Sequence, residues 1–315
     1  MPYKNTPSLN QEKHSDKQSI QQNLEFGPEE IVLIIHADDF GMCHSVNQAT
    51  EEAFNRGIIS SGSIMVPCPW FPEAAAYYRK NPDVDLGIHL TLTSEWELYR
   101  WPPVAQKDKV PGLVDREGFL WHRREEVAQH ATPKEVEMEI RAQIERALQF
   151  GIKPTHLDDH MGTLSARPEY LKVFYMVAEE FNVPPLIARR SCKVARPQQK
   201  QKRVEIIEKA ESVVDRKLQG KFPVLDCLLM GSGVNYEERR VVYNEMLRNL
   251  KPGINQVILH LGSDDPEIEA VLGEHINTRR YDFLVFSEPE TKEILRQRGI
   301  KLVGWRDLAS RLHRC

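Results

Sequence analysis

The run Ile31-Val-Leu-Ile-Ile35 constrains the fold most. Five consecutive apolar, largely β-branched residues predict a parallel strand buried on both faces. The pattern then repeats. Ser63-Ile-Met-Val66, Leu86–Leu92, Pro154–Leu157, Pro185–Ile187, Phe222–Leu229, Gln256–Leu261 and Lys301–Val303 read as further strands. Helical stretches lie between most of them, near Phe71–Lys80, Thr132–Phe150, Pro168–Phe181, Gln201–Leu218, Tyr236–Leu250 and Pro289–Arg298. Ser45–Gln48 looks like a capping-box start with Gly57 as the stop, and Thr132-Pro-Lys-Glu135 is a second such box. Seven or eight β/α repeats in one chain favour an α/β fold closed or nearly closed into a (β/α) barrel over an open doubly wound sheet, the alternative; in a barrel the strand C-terminal ends share one mouth. The 315 residues suit one such domain over 29–315, preceded by a polar, disordered arm at 1–28. Residues 94–131 interrupt the rhythm with an aromatic insert.

Polar stations end these strands: Asp38-Asp39, His89, His156 through His160, His260, and Asp264-Asp265. Carboxylates and imidazoles gathered this way are what a mononuclear metal site with a general acid and base requires. Of Asp38 and Asp39, one can hold a divalent ion while its neighbour contacts the attacking water; the plain alternative is a helix cap. Adjacent residues leaving a strand are expected to point in different directions. His89 reads as a ligand because other ligand types end other strands; alone it would read as a core histidine. His160 is the ligand expected from its segment, with polar neighbours orienting it. His260 suits proton donation to a leaving group, and Asp264-Asp265 either orient it or cap the next helix. Trp70, Trp96, Tyr99 and Trp101 are candidate stacking surfaces for a sugar ring, or else local core.

The net charge of −4, with charges interspersed, gives no case for nucleic acid, and the basic run 189–203 reads as a solvated loop. No stretch reaches the ~18 apolar residues of a membrane span, and residues 1–30 lack the apolar core of a secretory signal. Five dispersed cysteines predict reduced thiols and a cytoplasmic setting.

Taken together, Ala37-Asp-Asp-Phe-Gly41, Val46-Asn47 with Gly57, Ser63–Val66, Gly87-Ile-His89-Leu-Thr-Leu, Pro154-Thr-His156-Leu-Asp158-Asp-His160, and the closing Arg279 and Lys301-Leu302 resemble the YdjC family of carbohydrate deacetylases. The resemblance covers Ile31 to Leu308. It implies a TIM-like barrel of irregular form, a homodimer, one divalent ion (zinc or magnesium) and hydrolysis of an N-acetyl group from a small amino sugar or oligosaccharide. It further implies Asp38 as catalytic base, Asp39, His89 and His160 as metal ligands, and, by a looser match, His260 as catalytic acid. The chain departs from the family after His160, where Met161-Gly-Thr-Leu164 replaces further histidines. Two alternatives stand beside this reading. One is a metal-dependent phosphoesterase with two ions, using Asp264 or Asp265; the other is a non-catalytic sugar-binding relative.

Overall fold

The computed structural model describes residues 24, 26–188, 221–273 and 276–312. Most of the expected arm, the basic run and the helix expected at Gln201–Leu218 therefore lie outside the described residues. Seven strands form one sheet: β1 Ile31–Phe40, β2 Ser61–Ile64, β3 Leu86–Leu90, β4 Leu157–Asp159, β5 Cys227–Met230, β6 Gly253–His260 and β7 Lys301–Leu302. Their order is β4-β3-β2-β1-β6-β5, with β7 beside the first half of β1, and every pairing is parallel. Single bridges at Leu157↔Pro185 and Ala188↔Leu225 join the outer strands through 185–188. The sheet thus curls into an irregular (β/α) barrel, as the alternation predicts.

Ten helices surround it among the described residues: α1 His44–Asn55, α2 Phe71–Lys80, α3 Arg124–His130, α4 Pro133–Gln149, α5 Pro168–Phe181, α6 Tyr236–Arg248, α7 Pro266–Leu272, α8 Ile276–Ser287, α9 Pro289–Gln297 and α10 Trp305–Leu312. Thr132 and Glu135 cap α4 reciprocally, as read from sequence. The start of α1 differs. Its N-cap is Cys43, without a side-chain bond, and the N–H groups of His44 and Ser45 instead donate to Glu267. A carboxylate from the far end of the chain satisfies these donors, so a local capping box is not needed.

The core explains the directions of the site residues. Leu33, Ile35 and Ala37 of β1 pack outward against Ala49, Ala53, Tyr243, Leu247 and Phe286. Val32 and Ile34 face the other way, toward Ile254, Leu225 and Trp305. By strand alternation His36 and Asp38 continue that second face, which changes from apolar to polar toward the barrel mouth. Leu24 and Phe26 are buried in the same cluster. Among the cysteines, Cys43 and Cys68 are buried free thiols, whereas Cys227 is disulfide-bonded, against the expectation of a wholly reduced set. No helix among the described residues is long and apolar enough to cross a membrane.

The aromatic insert is anchored from α4. Glu139 accepts the N–H groups of Val104 (2.9 Å) and Ala105 (2.8 Å), and Gln143 links Glu139 to both backbone groups of Thr91. Burial pushes the Glu139 carboxyl up to about 7, against the hydrogen bonds that lower it. A folded-state value above the unfolded one means that stability is complete at low pH and lost as the pH rises through about 7. Urea unfolding should therefore show a loss of ~2–3 kcal/mol between pH 5 and 8.5 from this group. Glu139→Gln should flatten that slope; an unchanged slope would remove Glu139 as its source.

Candidate active site

Four strand ends supply the site. Asp38 and Asp39 come from β1, His89 from β3, His160 from the turn directly after β4, and His260 from the last position of β6. Asp38 pairs with His260 across β1 and β6, and His89 with Asp158 across β3 and β4. The two aspartates lie within β1 rather than beyond it, and they do not diverge. Asp39 has a left-handed φ of 70°, at an irregularity in the β1–β2 register between Ala37 and Phe40. This break in alternation lets consecutive carboxylates face the same cavity.

Asp39 Oδ1 lies 3.4 Å from His89 Nε2 and 3.3 Å from His160 Nδ1, and these two nitrogens are 3.2 Å apart. The far side of each ring is held by a carboxylate. His89 Nδ1 is 2.7 Å from Asp158 Oδ1, and His160 Nε2 is 3.0 Å from Glu95. Arg279 donates to Asp39 Oδ2 at 2.5 Å. Each imidazole thus turns its remaining nitrogen toward one carboxylate oxygen, and that oxygen is buried without a hydrogen-bond partner. Two imidazoles, one carboxylate and an orphaned acceptor fit a single divalent cation, with the outer carboxylates fixing the ring orientations.

The electrostatics agree. Burial disfavours the Asp39 carboxylate, but the Arg279 guanidinium and the two imidazoles hold its carboxyl well below the usual range. Burial likewise opposes protonation of His160, yet Glu95 and Asp39 raise it to about 9. His89 is raised well above its ordinary value by Asp158 and Asp38 against the same burial. A cluster that draws protons onto buried imidazoles this strongly has the potential to draw a metal ion in their place.

Asp38 Oδ2 is 3.8 Å from both His260 Nε2 and His89 Nε2. The His260 side chain is 30% exposed, so it can be reached from the mouth. The neighbours of His260 do not join it. Asp264 forms a surface ion pair with Arg280, and Asp265 caps α7. The extra carboxylate that the phosphoesterase alternative calls on is therefore occupied elsewhere.

The four aromatic candidates are not equivalent. Trp101 is 0% exposed, its indole N–H donating to Thr93 O, and it presents no stacking surface. Size and aromaticity made it a core residue, which loop position in the sequence does not reveal. Tyr99 is half-buried with its hydroxyl on Met42 O. Trp96 is half-buried against the core, and Trp70 is half-buried with its ring 4.8 Å from that of His44. The sequence assigned no role to Glu95, and it marked Asp158 and Arg279 only as neighbours or as part of the family resemblance, without the contacts they make here. Asp158 sits between two histidines, a spacing that could have marked it more strongly. Glu95 carries no local signal, and nothing around Arg279 in the sequence points it toward Asp39.

A family model described as YdjC-like protein matches residues 32–297. A carbohydrate deacetylase of Thermus thermophilus is 30% identical over 264 residues, 84% of this chain and 89% of that protein. A carbohydrate deacetylase of Brevibacillus brevis is 38% identical over 48% of this chain and 57% of its own length. For a chitooligosaccharide deacetylase of Yersinia enterocolitica the values are 33%, 51% and 60%. Against these last two the match spans little more than half of the relative. A solved structure from Enterococcus faecalis, provisionally described as a cellobiose-phosphate cleavage protein, superposes with a TM-score of 0.71 at 25% identity, covering 89% of this chain and 99% of that one.

Proposed function

Because the chain belongs to the YdjC-like family, we propose that it is a metal-dependent carbohydrate deacetylase, hydrolysing the N-acetyl group of an amino sugar or oligosaccharide. The observation that carries this reading is the convergence of His89 Nε2 and His160 Nδ1 on the unpartnered Oδ1 of Asp39, directly beside Asp38 at the barrel mouth.

Asp39, His89 and His160 would hold the ion. Bound there, a divalent cation supplies Lewis acidity toward the acetyl carbonyl and makes water a better nucleophile. Zinc matches the two-imidazole, one-carboxylate donor set best, and magnesium is the second choice. Asp38 accepts the proton of the attacking water through Oδ2, the oxygen that faces His89 and His260. His260 donates a proton to the departing sugar nitrogen, which as a free amide anion would be a very poor leaving group. Arg279 keeps Asp39 a strong anionic donor, while Glu95 and Asp158 keep both imidazoles in one orientation. Trp70, Trp96 and Tyr99 are the aromatic residues left to contact the sugar.

Acetate release from a panel of N-acetylated mono- and oligosaccharides tests the reading. Chelator-stripped protein should be inactive and recover on addition of zinc or magnesium. His160→Ala should remain inactive after the same treatment. Acetate release that is indifferent both to stripping and to His160→Ala would overturn it.

A further inference from the structure

Below the proposed catalytic centre, three more side chains of metal-ligating type converge, of which the proposed reaction uses only one oxygen of Asp158, to orient His89. His36 lies on the inward face of β1, His156 just before β4, and Asp158 within β4. All are buried, and one donor atom from each lies within 4.8 Å of the others. His36 Nε2 is 3.0 Å from Asp158 Oδ2 and 3.2 Å from Asp38 Oδ1. His156 Nε2 is 3.6 Å from Asp158 Oδ2.

The hydrogen bonds around this group fix which nitrogens carry protons. Asp85 Oδ1 receives the hydroxyls of Ser61 at 2.7 Å and Thr155 at 3.0 Å. A hydroxyl has one hydrogen to give, so each of these oxygens must accept from the imidazole beside it. Ser61 Oγ is 3.1 Å from His36 Nδ1, and Thr155 Oγ1 is 3.0 Å from His156 Nδ1. Both rings are therefore anchored as Nδ1–H donors, which leaves Nε2 of each neutral ring as a lone pair. Metal-ligating histidines are held in this way, through the nitrogen that does not bind the ion.

What the two Nε2 atoms face is equally specific. His156 Nε2 is fully buried and has no hydrogen-bond partner, and the same is true of Asp38 Oδ1. The His36 Nε2 lone pair would point at two carboxylate oxygens, with Ser63 Oγ at 3.1 Å as the remaining neighbour. Acceptors gathered on acceptors repel unless a cation lies among them. The His156 ring has no freedom to turn away. Trp305 stacks on it at 4.9 Å, and a Cβ on Gly87 would come within 2.4 Å of the ring, so β3 carries glycine where the imidazole lies.

We propose that His36, His156 and Asp158 bind a second divalent ion of the zinc class, enclosed inside the barrel. Two imidazole nitrogens and one carboxylate oxygen, all buried, are the donor types of a structural zinc site. This inner centre shares no ligand with Asp39, His89 and His160. The two are linked through Asp158, whose other oxygen holds His89 Nδ1.

Metal stoichiometry decides the matter. Zinc should be measured on the purified protein, and Co²⁺ titrated into chelator-stripped protein while the visible absorption is followed. The expected result is two ions per chain, filled in separable steps. His36→Asn and His156→Asn should each lose one ion and keep the one that His160→Ala removes. Saturation at one ion, lost in His160→Ala and kept in His156→Asn, would overturn the inner centre and leave His36 as a protonated bridge between Asp38 and Asp158. One ion lost in His156→Asn but kept in His160→Ala would support the inner centre while removing the catalytic one. No ion at all would overturn both. If the variants do not fold, the cobalt titration of the unaltered protein still decides, since an end point at one equivalent is incompatible with two centres.

Discussion

Asp38→Asn is expected to lower acetate release by ~10²–10⁴-fold, the usual worth of a positioned general base, while the ion at Asp39, His89 and His160 stays bound. The substitution keeps the size of the side chain and an oxygen acceptor but removes the capacity to take a proton. Asp38 lies 3.8 Å from both His89 Nε2 and His260 Nε2, close to the proposed ion without belonging to its donor set. Loss of rate with retention of metal separates a base from a ligand. Asp39→Asn should behave differently, because it also strips the Arg279 ion pair of its buried carboxylate and so should lose metal and stability together. The measurement is initial acetate release beside zinc content for both variants. If Asp38→Asn keeps more than about a tenth of the rate, well above the range for a lost base, Asp38 is not the base.

The parts of this site legible in the sequence are those set by strand alternation. The apolar run at Ile31 requires a buried parallel strand, and the polar residues at successive strand ends then fall at one mouth. Three elements were hidden, each for a physical reason. The direction of Asp39 depends on a left-handed backbone at a register break, and no residue type announces this, since the position is not glycine. Glu95 reaches His160 only because the insert folds back over the mouth, held by Glu139 and Gln143 of α4. Arg279 lies on α8, whose apolar and polar residues show little helical segregation, so the helix was not anticipated. The same limit explains Trp101: it shares a core cluster with Leu113, Leu120 and Val127, which come from the same insert, and that insert has no periodicity to read.

His260→Ala offers the sharpest division between chemistry and structure. On an N-acetylated sugar it is expected to reduce kcat by ~10²–10⁴-fold, because the departing alkylamine nitrogen must gain a proton as the C–N bond breaks. On an acetanilide bearing an electron-withdrawing ring, the leaving nitrogen tolerates developing negative charge, and the same variant should lose about tenfold or less. A structural role would depress both substrates alike. The backbone around His260 gives reason to expect a local effect. Its N–H donates to Asp282 Oδ2 at 3.0 Å, and Asp282 Oδ1 is in turn held by Arg239 at 2.5 Å and by the Tyr243 hydroxyl at 2.9 Å. These contacts run through the main chain of β6 and survive truncation of the side chain. The imidazole itself is partly exposed at the mouth, so its removal leaves no closed cavity in the core. Equal losses on the sugar and the activated anilide would therefore assign the leaving-group proton to another donor, whereas a loss confined to the sugar ties it to His260.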